Sequence, residues 1–119
     1  MTSTTAFRLA ALLGFLAVAL GAFGAHGGLH DLLAKNHRLE MWEKAVFYHL
    51  VHAAVLLAIA IRKPFPLAGW CLIFLGVLCF SGSLYLLAAT SVAGLVWITP
   101  VGGVCLIGGW LALAFCAKG

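Results

Sequence analysis

Four long apolar stretches, broken by short polar segments, organise the chain. They run from about Ala6 to Ala25, Lys44 to Ile61, Leu67 to Ala89 and Leu95 to Cys116. Each is about as long as a helix must be to cross a ~30 Å hydrocarbon core. The pattern predicts an all-α integral membrane bundle of four transmembrane helices, with residues 1–119 forming one membrane domain. Arg8 before an apolar run, with Gly21, Ala22 and Gly24 after it, resembles a secretory leader. The run Leu9–Ala25 is long for a leader core, so it reads as a retained span.

The breaks differ in character. The first holds His26, His30, Asp31, Lys35, His37, Arg38, Glu40 and Glu43. Within it, Leu29, Leu32 and Leu33 share one helical face, the mark of a short helix lying in the membrane interface. The helix of the second span can extend back toward Arg38, which puts Trp42 at the headgroup level. Arg62-Lys63-Pro64-Phe65-Pro66 stops any helix, because two prolines cannot continue one and two cations hold the turn in water. Thr90–Gly94 is short and neutral, so the last two spans form a tight hairpin.

Composition strengthens this picture. Only 8% of the residues are charged and 65% are apolar, against roughly 25% charged in a soluble domain. The mean hydropathy of +1.16 requires an outer surface that faces lipid. The formal charge of +4 does not indicate nucleic acid, since no basic stripe with interleaved aromatics occurs. Cys71, Cys79, Cys105 and Cys116 lie within or at the ends of apolar segments without a CxxC pair, and read as apolar fillers. Four spans place both termini and the 62–66 turn on one side, with Arg8, Arg62, Lys63 and Lys118 there against Lys35, Arg38 and Lys44 on the other. The positive-inside rule then predicts an inner (plasma) membrane protein with both termini cytoplasmic.

Antiparallel threading brings four unusual clusters into the half of the bundle away from the basic turn. These are GAFGAHG at 21–27, YHLVH at 48–52, FSGSLY at 80–85 and ITPVGG at 98–103. His49 and His52 share a helical face roughly 6 and 10 Å inside the start of their span. A polar residue at that depth is costly unless partnered. Ser81, Ser83, Tyr85 and Thr99 can supply hydroxyls, Pro100 can free a carbonyl one turn earlier, and His26 and His30 can approach with Glu43 at the mouth. The candidate ligand-binding set is His26, His49, His52, Ser81, Ser83, Tyr85 and Thr99. If a metal is held, the candidates are His26, His30, His49 and His52. Each feature also has a plainer reading. Ala17, Gly21 and Ala25 have the small-xxx-small spacing of close helix packing, and Gly102, Gly103, Gly108 and Gly109 fit the same role. His–hydroxyl bonds can simply tie helices together, and His37 reads as a solvated interfacial residue.

The motifs GAFGAHG, YHxxHA, FSGSLY and ITPxGG, followed by Gly109-Trp110, resemble a family of small uncharacterised four-helix membrane proteins of the YgdD and YwdK type, with eukaryotic relatives. The likeness spans essentially the whole chain in order. One departure is the second glycine in His26-Gly27-Gly28-Leu29, where the family usually has one. The resemblance implies the architecture and carries no established activity.

Three functional classes follow. The leading expectation is a non-enzymatic protein that binds or passes a small solute, ion or lipid through the polar half of the bundle, with the bilayer and further copies of itself as partners and no cofactor. The second is a haem- or metal-binding redox protein using paired histidines. The third is a structural or assembly role. Hydrolase chemistry lacks an acid partner and a nucleophile elbow, and no carboxylate lies within a span to drive a proton pump.

Overall fold

The computed structural model describes residues 1–116, and Lys118, assigned above to the basic side, lies outside them. Among the described residues every regular element is a helix: α1 (Ser3–Ala25), α2 (Gly27–Lys35), α3 (Leu39–Ala60), α4 (Leu67–Thr90) and α5 (Ile98–Phe115), with a 3₁₀ turn over Ala93–Trp97 leading into α5. α1, α3, α4 and the 3₁₀ turn continued by α5 are each long and apolar enough to span a membrane. The bundle of four spans expected from hydropathy is the one observed.

Local chemistry sets the ends. The Thr2 hydroxyl caps α1 by accepting the Thr5 N–H at 3.1 Å. His26 is extended and Gly27 has φ 76°, a left-handed conformation that glycine adopts without a Cβ clash, and α2 starts there. α2 ends in a Schellman turn: His37 sits at φ 57° and donates to the Ala34 carbonyl, while the Arg38 N–H donates to Leu33 at 2.8 Å. α2 is the short connecting helix predicted, but it is more than an interfacial float. Leu33 is fully buried against Trp42 and Ala88, while Leu32 faces outward.

Three details refine the expected picture. α3 begins at Leu39, extending back from Lys44 toward Arg38 as expected, because the polar face of its first turns is exposed while Met41, Trp42 and Ala45 pack inward. Trp42, in that first turn, is buried, and its indole N–H donates to the Leu20 carbonyl at 2.9 Å. Pro100 falls in the first turn of α5, directly after the 3₁₀ turn, a position in which a helix tolerates a missing N–H.

The spans pack in series, α1 on α3, α3 on α4 and α4 on α5. No Cα of α1 comes within 8 Å of α4 or α5, nor any Cα of α3 within 8 Å of α5. Lipid is as apolar as leucine, so such contacts depend on close fit rather than on the hydrophobic effect. The α4–α5 contact has that fit. Leu113 covers Gly69, Ile73 covers Gly109, Leu106 covers Gly76 and the Phe80 backbone lies on Gly102, each helix giving glycine where the other gives bulk. On α1, Ala6, Ala10, Leu13, Ala17 and Gly24 are buried, Gly21 meets Val46, and the Trp42 indole occupies the place of a Gly24 side chain. Ala25, placed on the same stripe by spacing, is exposed. The end of the bundle near the 62–66 turn is nearly all apolar, with Trp70 fully buried and its N–H donated to the Leu56 carbonyl at 3.2 Å.

Candidate functional site

Serial packing leaves two grooves. One lies between α1 and α4 with α3 as its floor, the other between α3 and α5 with α4 as its floor. His49 and His52 are close in angle around α3, but each takes a different groove.

His52 lines the α3–α5 groove with Tyr48, Phe80 and Trp110. Its Nδ1 lies 2.7 Å from the Tyr48 carbonyl, and the Trp110 indole N–H donates to its Nε2 at 3.1 Å. A carbonyl only accepts and an indole N–H only donates, so Nδ1 carries the proton and Nε2 the lone pair. The imidazole is neutral and both nitrogens are occupied. Tyr48 stacks parallel to it at 6.0 Å.

His49 is also buried, with 5% of its surface exposed. Its Nδ1 lies 2.9 Å from the Tyr85 hydroxyl. Among the described residues Nε2 has no partner of good hydrogen-bond geometry; the Leu13 backbone lies near the ring and offers it at most a weak hydrogen bond. The Tyr85 hydroxyl bonds to nothing else among these residues, so the best-satisfied arrangement has Tyr85 donating to Nδ1. This leaves Nε2–H as a buried donor without a well-placed acceptor. Beside the ring is a cavity of about 170 Å3 lined by Leu13, Leu16, Leu20, Val77, Ser81 and Tyr85 among others. Trp42 supports the tyrosine edge-on at 4.7 Å.

The remaining sequence candidates are placed as follows. Ser81 donates to the Ala45 carbonyl at 2.9 Å, tying α4 to α3. Ser83 donates to the Phe80 carbonyl at 3.0 Å and pairs with Thr99, tying α4 to α5. His30 bonds the Gly24 carbonyl at 2.9 Å, closing the end of α1. His26 is exposed at the α1–α2 corner. The structure thus joins His49 to Tyr85, His52 to Trp110 and Ser83 to Thr99, rather than gathering all seven candidates into one pocket. Among the described residues no three His, Cys, Asp or Glu side chains come together as a metal site, so His26, His30, His49 and His52 do not form one ligand set.

Trp110 and Arg38 carry interactions that the local pattern does not assign. The Arg38 guanidinium donates to the Leu87 carbonyl at 3.0 Å, a cation at the negative end of α4. Trp110 stood in the Gly109-Trp110 motif, but its partner lies 58 residues away.

Fold and site together define a small multi-pass α-helical membrane protein with two histidines buried in its bundle. The chain belongs to the family described as "Protein of unknown function (DUF423)", whose model matches residues 20–103. It is 47% identical over 110 residues to a UPF0382 membrane protein of Staphylococcus saprophyticus, covering 88% of this chain and 89% of that one. A UPF0382 membrane protein of Haemophilus influenzae is 41% identical over 114 residues, covering 90% and 88%. The UPF0382 membrane protein YwdK of Bacillus subtilis is 40% identical over 116 residues, covering 92% of each. No solved structure matches the chain.

Proposed function

We propose that this protein is a non-enzymatic binding protein of the inner membrane, with both termini cytoplasmic, that takes an apolar ligand bearing a hydrogen-bond acceptor oxygen at His49. The unpaired Nε2–H carries the reading. Leaving such a donor buried costs about 1–3 kcal/mol, and in a span no water is at hand to offset it. A carbonyl oxygen against Nε2 removes that cost, and Leu13, Leu16, Leu20 and Val77 give the rest of the molecule an apolar wall. An ester carbonyl of a membrane lipid and a ring carbonyl of a quinone share this chemistry. Binding is favoured over passage because the cavities of the two grooves have no lining residue in common.

The test uses delipidated protein in detergent with two probes, a short-chain benzoquinone and a diacylglycerol. Either should raise the thermal midpoint of the wild-type protein and leave His49→Leu unshifted, and which probe acts identifies the ligand class. No shift with either, or equal shifts in His49→Leu, overturns the reading in favour of a structural histidine. A reporter active only in the cytoplasm, fused at each terminus in turn, tests the orientation.

A further inference from the structure

The end of the molecule opposite α2 carries a second, unrelated feature. Between the first turns of α1 and the end of α3 is a cleft of about 330 Å3, lined by Ser3, Thr4, Phe7, Arg8, Ala60, Ile61 and Lys63. Its lining combines two hydroxyl-bearing residues and two cations with the apolar Phe7, Ala60 and Ile61. The three carboxylates of the chain, Asp31, Glu40 and Glu43, all lie in α2 and the first turn and a half of α3. That places them across the bundle, so among the described residues no acidic side chain at this end competes for Arg8 or Lys63. At the carboxylate-bearing end the comparable Arg38 is engaged by a helix carbonyl.

The cleft does not stop at its cations. Phe7 and Arg8 also belong to an apolar trough that continues along α1 over Ala11, Leu12 and Phe15. Arg8 therefore stands where a polar notch meets a lipid-facing trough, the arrangement that a phosphate group joined to an acyl chain would fill. A free phosphate has no use for the trough, and a zwitterionic lipid gains less from two cations that meet no carboxylate among the described residues. Basic pockets between spans at the membrane surface are known to favour anionic headgroups.

We propose that this cleft and trough form a binding site for one anionic phospholipid, with Arg8 and Lys63 on its phosphate, Ser3 and Thr4 as hydroxyl donors, and one acyl chain along Leu12 and Phe15. The site is independent of the His49 cavity and of its ligand.

The experiment is native mass spectrometry of the full chain, released from mixed micelles holding phosphatidylglycerol and phosphatidylcholine in equal amounts. One phosphatidylglycerol should be retained in preference to phosphatidylcholine, and Arg8→Gln/Lys63→Gln should reduce that preference roughly tenfold or more, as expected from two cations near an anionic surface. Lys35→Gln/Lys44→Gln at the other end removes the same formal charge and should leave the preference intact. Phe15→Ala should weaken retention while sparing the headgroup preference. Equal retention of the two lipids, or an equal loss in the Lys35/Lys44 variant, overturns the site in favour of bulk charge. Competition by inorganic phosphate at the lipid's own concentration overturns the role of the trough. All four substituted cations and Phe15 are exposed, and a thermal melt of each variant verifies its fold.

Discussion

The two grooves flanking α3 hold the same kind of side chain in opposite conditions. On the α5 side, His52 gives its proton to a carbonyl of its own helix and receives one from Trp110, so its hydrogen-bonding capacity is spent. On the α1 side, His49 meets Tyr85 through one nitrogen and buries the other without a well-placed partner among the described residues. Because an imidazole has two distinct nitrogens, burial or depth alone does not separate a structural histidine from a binding one. The second nitrogen does. The backbone architecture agrees with this division. α5 is held on α4 by interlocked glycines, which keeps Trp110 over His52, whereas α1 and α4 have no close backbone contact above His49.

The largest effect should come from breaking the contact that holds the closed groove closed. A side chain at Gly102 would run into the Phe80 backbone, which cannot yield as a flexible side chain could. Gly102→Val is expected to destabilise the folded protein in detergent by about 3 kcal/mol or more, and to abolish protection of the Trp110 indole N–H in hydrogen exchange. Survival of that protection would mean that α5 is held by something other than its glycine register.

A smaller effect is expected from His52 itself. His52→Leu leaves the Trp110 N–H without an acceptor and should cost about 1–2 kcal/mol in denaturant unfolding. Trp110→Phe in the same background removes the stranded donor, so the double variant should recover much of the loss. The cycle isolates the pair, because both substitutions retain apolar bulk in the groove. A purely additive result would strip His52 of its structural role and put it on the same footing as His49.

The architecture was legible from hydropathy and helix breakers. Arg62–Pro66 separates α3 from α4 where expected, and the leucines of the first connection announce α2. Small residues on α1 and α5 signalled close packing, but the pairing of Gly69 with Leu113 or Gly102 with Phe80 is a matter of register, which local spacing does not encode. The same holds for the site. His49 and His52 look equivalent along the chain, and only Tyr85 and Trp110, on two other helices, separate them. The burial of Trp42 was hidden for a related reason. A tryptophan near the end of a span suits the interface by type, yet here the missing side chain of Gly24 makes room for the indole inside. Pro100 marked a change of helix type, but the 3₁₀ turn that precedes it and sets the start of α5 at Ile98 was not legible from spacing.

The smallest expected effect sharpens the comparison most. In His49→Leu/Tyr85→Phe both members of the pair become apolar at nearly constant shape, so no hydroxyl is stranded and the unpaired Nε2–H disappears with its penalty. Removing both partners of a buried hydrogen bond is close to neutral. The unliganded double variant should therefore unfold within about 0.5 kcal/mol of the parent, and its stability should no longer respond to the quinone or ester probe. The wild-type protein, refolded without either probe, provides the reference. A loss comparable to that of His52→Leu would mean that the Leu13 backbone near the imidazole already serves as its acceptor and that His49 ties α1 to α3 and α4. The two grooves would then differ in shape and not in purpose. A neutral variant that has lost its response to the probe leaves His49 with one use, which is to meet a molecule from outside the chain.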